Sequence, residues 1–201
     1  MRISRLLAGL IALGAATSTT VMAQDTAPAP QAAPAPAAPP AVTDTKPVGD
    51  WTVRCFAVAS ASPCDMYAEY HQDTSQQRVL SVSIAYVPKD DRHVVDIAVP
   101  LGISIAAGVV IKTDSYTSPK LGFRRCDQAG CYVEGLMPND MVAAIAKSGP
   151  NASVNIMADD GKPFSIRLSL NGFAGAHDAM AQMAKEKAKN TDAAAAAPKK
   201  K

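Results

Sequence analysis

The chain has 201 residues, with 20 lysines and arginines against 18 acids, three histidines and a formal charge of +2. So even a balance supplies no global basic field for nucleic acid. Four cysteines form an even set available for pairing, and seven of the 15 prolines fall between residues 28 and 47, setting a low-complexity stretch apart from the rest.

Arg2 and Arg5 precede the apolar run LLAGLIALGAA, Leu6 to Ala16, and Val21-Met22-Ala23 offers a cleavage point before Gln24. The run falls well short of the ~20 residues that span a bilayer, so residues 1–23 read as a secretory signal peptide. Loss of both arginines would leave 18 basic against 18 acidic residues. No transmembrane segment is expected after signal cleavage. The expected compartment is oxidising and outside the cytoplasm: periplasmic, with an outer-membrane-associated or secreted location as variants. Residues 24–47 are Ala/Pro-rich, lack side chains that could repay their ordering entropy, and read as a linker.

Between residues 48 and 180 lies one expected domain. Short runs rich in Val, Ile, Tyr and Phe, bounded by turn residues, predict strands at 51–58, 64–71, 78–87, 93–99, 102–111, 120–126, 131–136, 152–158 and 163–170. RVLSVSIAYV alternates, with Leu80, Val82, Ile84 and Tyr86 forming the better core face, and PFSIRLSL alternates to bury Phe164, Ile166, Leu168 and Leu170. Asp160-Gly161 signals a hairpin between the last two strands. PNDMVAAIAKSG predicts a helix capped by Asn139, with Met141, Val142 and Ile145 on one stripe, and GAHDAMAQMAKEKAK a second with Ala176, Met180 and Met183 aligned and docked on its own domain. Mainly β, a β-sandwich with one or two short helices, is the expected fold class.

Residues 181–201 form an Ala/Lys-rich low-complexity tail. It reads first as solubilising; the alternative is a weak electrostatic tether to anionic lipid, polysaccharide or wall polymer through Lys185, Lys187, Lys189, Lys199, Lys200 and Lys201.

The cysteines stand in CFAVASASPC and CDQAGC. Three connectivities are open, and local pairing is expected, Cys55 with Cys64 and Cys126 with Cys131, because each pair brackets turn chemistry between predicted strands. Asp127 to Gly130 would then be a hairpin loop. A thioredoxin-like site would need Cys-x-x-Cys at a helix start, and only the second pair has a spacing compatible with a zinc knuckle. Structural disulfides are therefore preferred.

Catalytic signals are missing: there is no Gly-x-Ser-x-Gly elbow and no phosphate-cradling glycine loop. The histidines fall at 71, 93 and 177. Asp91, His93 and Asp96 in KDDRHVVD could be drawn as a metal cluster, but they lack a ligand pattern and read as a solvated loop entering a strand. Arg124 and Arg125, on a strand, would point to opposite faces. Trp51 reads as a core anchor, and the NAS sequence at 151–153 as uninformative. No catalytic, cofactor or metal residues are expected.

Trp51-Thr52-Val53-Arg54-Cys55, GVVIKTD from Gly108 to Asp114, LGFRRCDQAGC ending at Cys131 and the late SLNGFAGAHDAM together resemble the invasion-associated locus B family of alphaproteobacteria. That resemblance covers residues 48–180. It implies an exported, immunoglobulin-like β-sandwich without established enzymatic activity, named for host-cell invasion. The reading is thus a non-enzymatic binding or interaction protein of the cell envelope, with an envelope or external protein or polymer as partner. The alternative is a periplasmic thiol-dependent oxidoreductase or other envelope enzyme.

Overall fold

A computed structural model describes residues 40–196, with side chains through Thr191. The expected signal peptide, most of the linker and Lys199, Lys200 and Lys201 lie outside the described residues.

Strands follow in the order β1 (Val42–Val48), β2 (Trp51–Phe56), β3 (Cys64–His71), β4 (Arg78–Val87) and β5 (Arg92–Val99). A 3-10 turn at Ile105–Ala107 leads to β6 (Val110–Thr113), β7 (Arg125–Asp127) and β8 (Gly130–Met137). Helix α1 (Asn139–Ala146), β9 (Asn151–Met157), β10 (Pro163–Ser169) and α2 (Phe173–Ala196) complete the described chain. The strands make two antiparallel sheets, one ordered β1-β2-β3-β4-β5-β8-β7 and one ordered β10-β9-β6. The mainly β, sandwich-like architecture with two helices is as the alternating runs imply.

Alternation decides which side of the larger sheet faces inward. Trp51 and Val53, Met66, the row Leu80, Val82 and Ile84, then Val95, Ile97 and Val133 are all buried on one face. Against them pack Val109, Ile111, Val154, Ile156 and Leu168 from the smaller sheet, Met141, Val142 and Ile145 from α1, and Phe173, Ala176, Met180 and Ala184 from α2. Each large apolar side chain so buried stabilises by about 1.5–3 kcal/mol. Trp51 joins three of these layers. Its Nε1 donates to the Ser169 carbonyl at 3.0 Å, and its ring meets Phe173 edge-on at 5.2 Å. Tyr70 accepts from the Ser169 amide at 2.8 Å, a second tie between the sheets.

Several boundaries depart from expectation. Val42–Val48, assigned by composition to the linker, pairs with β2 as an edge strand; it is exposed apart from Val48 and held by its backbone, which apolar patterning does not register. The strand expected over 102–111 begins only at Val110, because Gly102 and Gly108 adopt φ of +81° and +67° and break the extended run. Of 120–126, only Arg125 and Cys126 fall in a strand, β7, which runs on to Asp127. Phe164, expected in the core, is 38% exposed beside the β9–β10 turn on an edge strand.

The expected cap residue Asn139 is instead the first helical residue of α1, with Pro138 before it. Helix α2 does dock on its own domain, but it runs through Ala196 and buries Ala184, so the tail does not begin at 181. Ala, Lys and Glu are good helix formers; low complexity there is not loss of structure.

Candidate functional site

The smaller sheet and both helices pack on the inner side of the seven-stranded sheet. The outer side presents three rows of directly opposed residues. Glu69, Ser81, Ala98, Tyr132 and Arg125 form the first, Thr52, Tyr67, Ser83, Asp96 and Glu134 the second, and Arg54, Asp65, Ala85, Val94 and Leu136 the third.

One end of this face is locked. Asp65, 4% exposed, accepts from Arg54 Nε at 3.0 Å, from Arg54 Nη2 at 2.5 Å and from Ser83 Oγ at 2.7 Å. The Arg54 guanidinium also lies 3.7 Å from the Tyr67 ring centroid, which adds a cation–π contact to the charge-assisted pair. Near β7, Arg125 donates to Glu134 at 2.8 Å and to Asp127 at 2.5 Å while covering the Tyr132 ring at 3.7 Å. Those bonds to Glu134 and Asp127 raise the Arg125 pKa. The Ala129 amide, followed by Arg125 and Tyr132, holds the Asp127 carboxyl below its ordinary value.

Between these fixed ends lies a shallow hollow of ≈ 390 Å³ lined by Ser83, Ala85, Val94, Asp96, Glu134, Gly135 and Leu136. Gly135 supplies no side chain, and Leu136 next to it is 61% exposed. No hydrogen-bond donor among the described residues engages the Asp96 side chain. Partial burial, then the facing Glu134, push its pKa up. An unpartnered acid beside exposed aliphatic surface can receive a cation carried on an apolar segment.

The hairpin of β7 and β8 borders this face. Asp127 and Gly130 pair across it, leaving Gln128 and Ala129 at the tip, so the loop is two residues shorter than expected. Gly130, at φ +146°, sits where a Cβ would come 2.3 Å from the Val99 carbonyl oxygen, and Arg78 Nη2 donates to the Ala129 carbonyl at 3.2 Å. The tip is thereby seated on the β5 end of the sheet.

Cys55 with Cys64, and Cys126 with Cys131, stand at disulfide distance, with sulfurs 2.05 and 2.10 Å apart. In each pair the cysteines are directly opposed across two strands. Cys55 and Cys64 are buried, whereas Cys126 is exposed. Asp91, His93 and Asp96 do not converge: His93 points inward, Asp96 outward, and Asp91 accepts from the Tyr86 hydroxyl at 2.7 Å. Arg124 and Arg125 were expected on opposite faces, yet both reach Glu134, at 3.7 and 2.8 Å, because β7 starts only at Arg125. Lys185 lies 5.3 Å from the Tyr86 ring and Lys187 donates to Thr43 at 2.6 Å, so both engage their own domain.

Sequence reasoning missed one constellation altogether. His93 Nε2 lies 3.0 Å from His177 Nε2, bringing together positions 84 residues apart. Burial lowers the His93 pKa, the Asn139 hydrogen bond opposes that, and His177 lowers it further.

Residues 51–181 match the family described as Invasion associated locus B (IalB) protein. Two relatives, invasion protein B homologs from Brucella abortus strains 2308 and biovar 1 9-941, are each 31% identical over 137 residues, covering 68% of this chain and 78% of theirs. The crystal structure of invasion associated protein B from Bartonella henselae superposes with a TM-score of 0.62 at 22% identity, covering 71% of this chain and 99% of that one. Among the described residues, no helix is long and apolar enough to cross a membrane.

Proposed function

The chain belongs to the Invasion associated locus B family, and on that premise we propose that it is an exported, non-enzymatic binding protein of the cell envelope. Its contact surface in this reading is the open sheet face around Leu136 and Asp96. The partner segment carries a lysine or arginine flanked by apolar residues: the cation meets Asp96 and the apolar groups cover Val94 and Leu136. Both cysteine pairs act as disulfides that keep the strand ends and the hairpin tip in shape. The similar Brucella and Bartonella proteins are named for invasion, which supports an external or envelope partner over an intracellular one.

The observation that carries this reading is Leu136, 61% exposed in a hollow lined by two acids, of which Glu134 is held by Arg125 and Asp96 has no partner among the described residues. Exposed aliphatic surface of this kind, set in a concave polar rim, marks contact sites. The test is photo-crosslinking in intact cells from position 136, with position 58, an exposed valine remote in sequence, as the control. A discrete partner captured from 136, absent from 58 and lost with Asp96→Asn, is expected. Capture of the same species from both positions refutes the assignment of this face.

A further inference from the structure

We propose that the His93–His177 pair is a proton-controlled latch that fastens the amino-terminal half of α2 to the junction of β5 and α1. His93, 5% exposed, sits near the start of β5 with its ring on the core side. Its Nδ1 is 2.8 Å from Asn139 Oδ1, and Asn139 Nδ2 donates to the Asp91 carbonyl at 2.8 Å. That second bond fixes the amide, so the Asn139 oxygen must face His93, and Nδ1 of His93 must carry the hydrogen. His93 Nε2 is then a bare acceptor, and His177 Nε2, 3.0 Å away, must donate to it. His177 Nδ1 lies 3.1 Å from the Asp178 carboxylate, so a His177 protonated on both nitrogens satisfies both neighbours.

The pair therefore holds one proton between its two Nε2 atoms and cannot hold two. A second would set two N–H groups against each other at 3.0 Å and place two cations in rings 5.1 Å apart. The groups facing the pair do not relieve this. From β4 comes Tyr86, whose ring lies 5.2 Å from His93 and whose hydroxyl already donates to Asp91. From the β4–β5 turn and the start of β5 come Asp91 and Arg92, from α1 Asn139 and Asp140, and from α2 Asp178 and Lys185. Asp91 is engaged by Tyr86, Asp140 by the Met141 amide, and Asp178 is exposed. Double protonation must open the link, and α2 is what it releases: Phe173 on Trp51, then Ala176 and Met180, form the turns on either side of His177. This device concerns the inner face and is independent of partner binding on the outer one.

The experiment is hydrogen exchange of the whole chain from pH 7.5 to 5, corrected for intrinsic rates, together with fluorescence of Trp51, the chain's single tryptophan. Protection over 173–184 is expected to fall at least tenfold more than protection over β3 to β5 as the pH drops. In His177→Gln, where the amide can donate to His93 without titrating, that selective loss should disappear; in His71→Gln, away from the pair, it should persist. Histidine nitrogen shifts in the unmodified protein give a check that needs no variant: 93 and 177 should share one proton until the second enters in a separate, lower step. Equal pH profiles for the unmodified protein and His177→Gln, or two independent single-site titrations, overturn the proposal.

Discussion

Replacing Asp96 by asparagine should make the free protein more stable. Asp96 faces Glu134 directly across β5 and β8, and like charges so opposed in a sheet cost about 0.2–1 kcal/mol. Arg125 at 2.8 Å and Arg124 at 3.7 Å neutralise part of the Glu134 charge, which reduces that figure, while partial burial of an unpartnered carboxylate adds to it. Relief of both effects by the near-isosteric amide amounts to about 0.5–1 kcal/mol, or about 2–4 °C in the midpoint of a domain this size.

The sign with pH follows from the raised carboxyl. Between the ordinary aspartate value of ~3.9 and the raised one, the folded state keeps a proton that the unfolded state has lost. Stability is therefore fullest below that window and falls as pH rises through it. Asp96→Asn should gain most at neutral pH and nothing below about pH 4, where both states of the native residue are protonated. Urea unfolding followed through Trp51 at the two pH values measures this. A loss of more than about 0.5 kcal/mol at pH 7, or the same gain at both pH values, refutes the argument, the scale being that of the opposed pair itself. A substitution that stabilises the fold while abolishing capture from position 136 is what a residue retained for binding should show.

Three further substitutions test the frame around that face. Asp65→Ala leaves Arg54 and Ser83 without their acceptor; breaking a buried pair costs about 3–5 kcal/mol, and with the Arg54 side chain 25% exposed about 2–3 kcal/mol is expected in chemical denaturation. Gly130→Ala drives a methyl into the Val99 carbonyl at a positive φ and should cost about 2–4 kcal/mol, with the change in exchange protection centred on β7 and β8. Alkylation with mass measurement should find no free thiols in the exported protein, and Cys126→Ser with Cys131→Ser should lose about 2 kcal/mol, the chain-entropy value for so short a ring. Four reactive thiols would overturn the disulfide reading.

The elements most legible in the sequence are those whose burial follows a period. Leu80, Val82, Ile84 and Tyr86 fill the core as their alternation requires, and Met141, Val142 and Ile145 do so at helical spacing. Elements held by backbone pairing or by helix propensity were not legible. β1 buries almost nothing, so its Ala/Pro flank and polar side chains read as linker, and the last turns of α2 contain mostly alanine and lysine, whose contribution to a helix is conformational and not apolar.

Both sites lie where the alternation is broken, and the breaks can be read in retrospect. In HVVDIAV the inward slots are His93, Val95, Ile97 and Val99, so one polar side chain occupies a core position; in the same strand Val94 is an aliphatic residue in an outward slot. In CYVEGLM the inward slots are Cys131, Val133, Gly135 and Met137, which leaves Leu136 facing out although it adjoins an apolar neighbour. Counting apolar residues conceals these positions, because Leu136-Met137 and Val94-Val95 look like ordinary core pairs. Assigning every residue to a face exposes them: a histidine turned inward needs a partner, which is His177, and two aliphatic groups turned outward on neighbouring strands, in the directly opposed pair Val94 and Leu136, need a cover. Local rules that fail at sites while holding elsewhere are what a sequence selected for both folding and binding should contain.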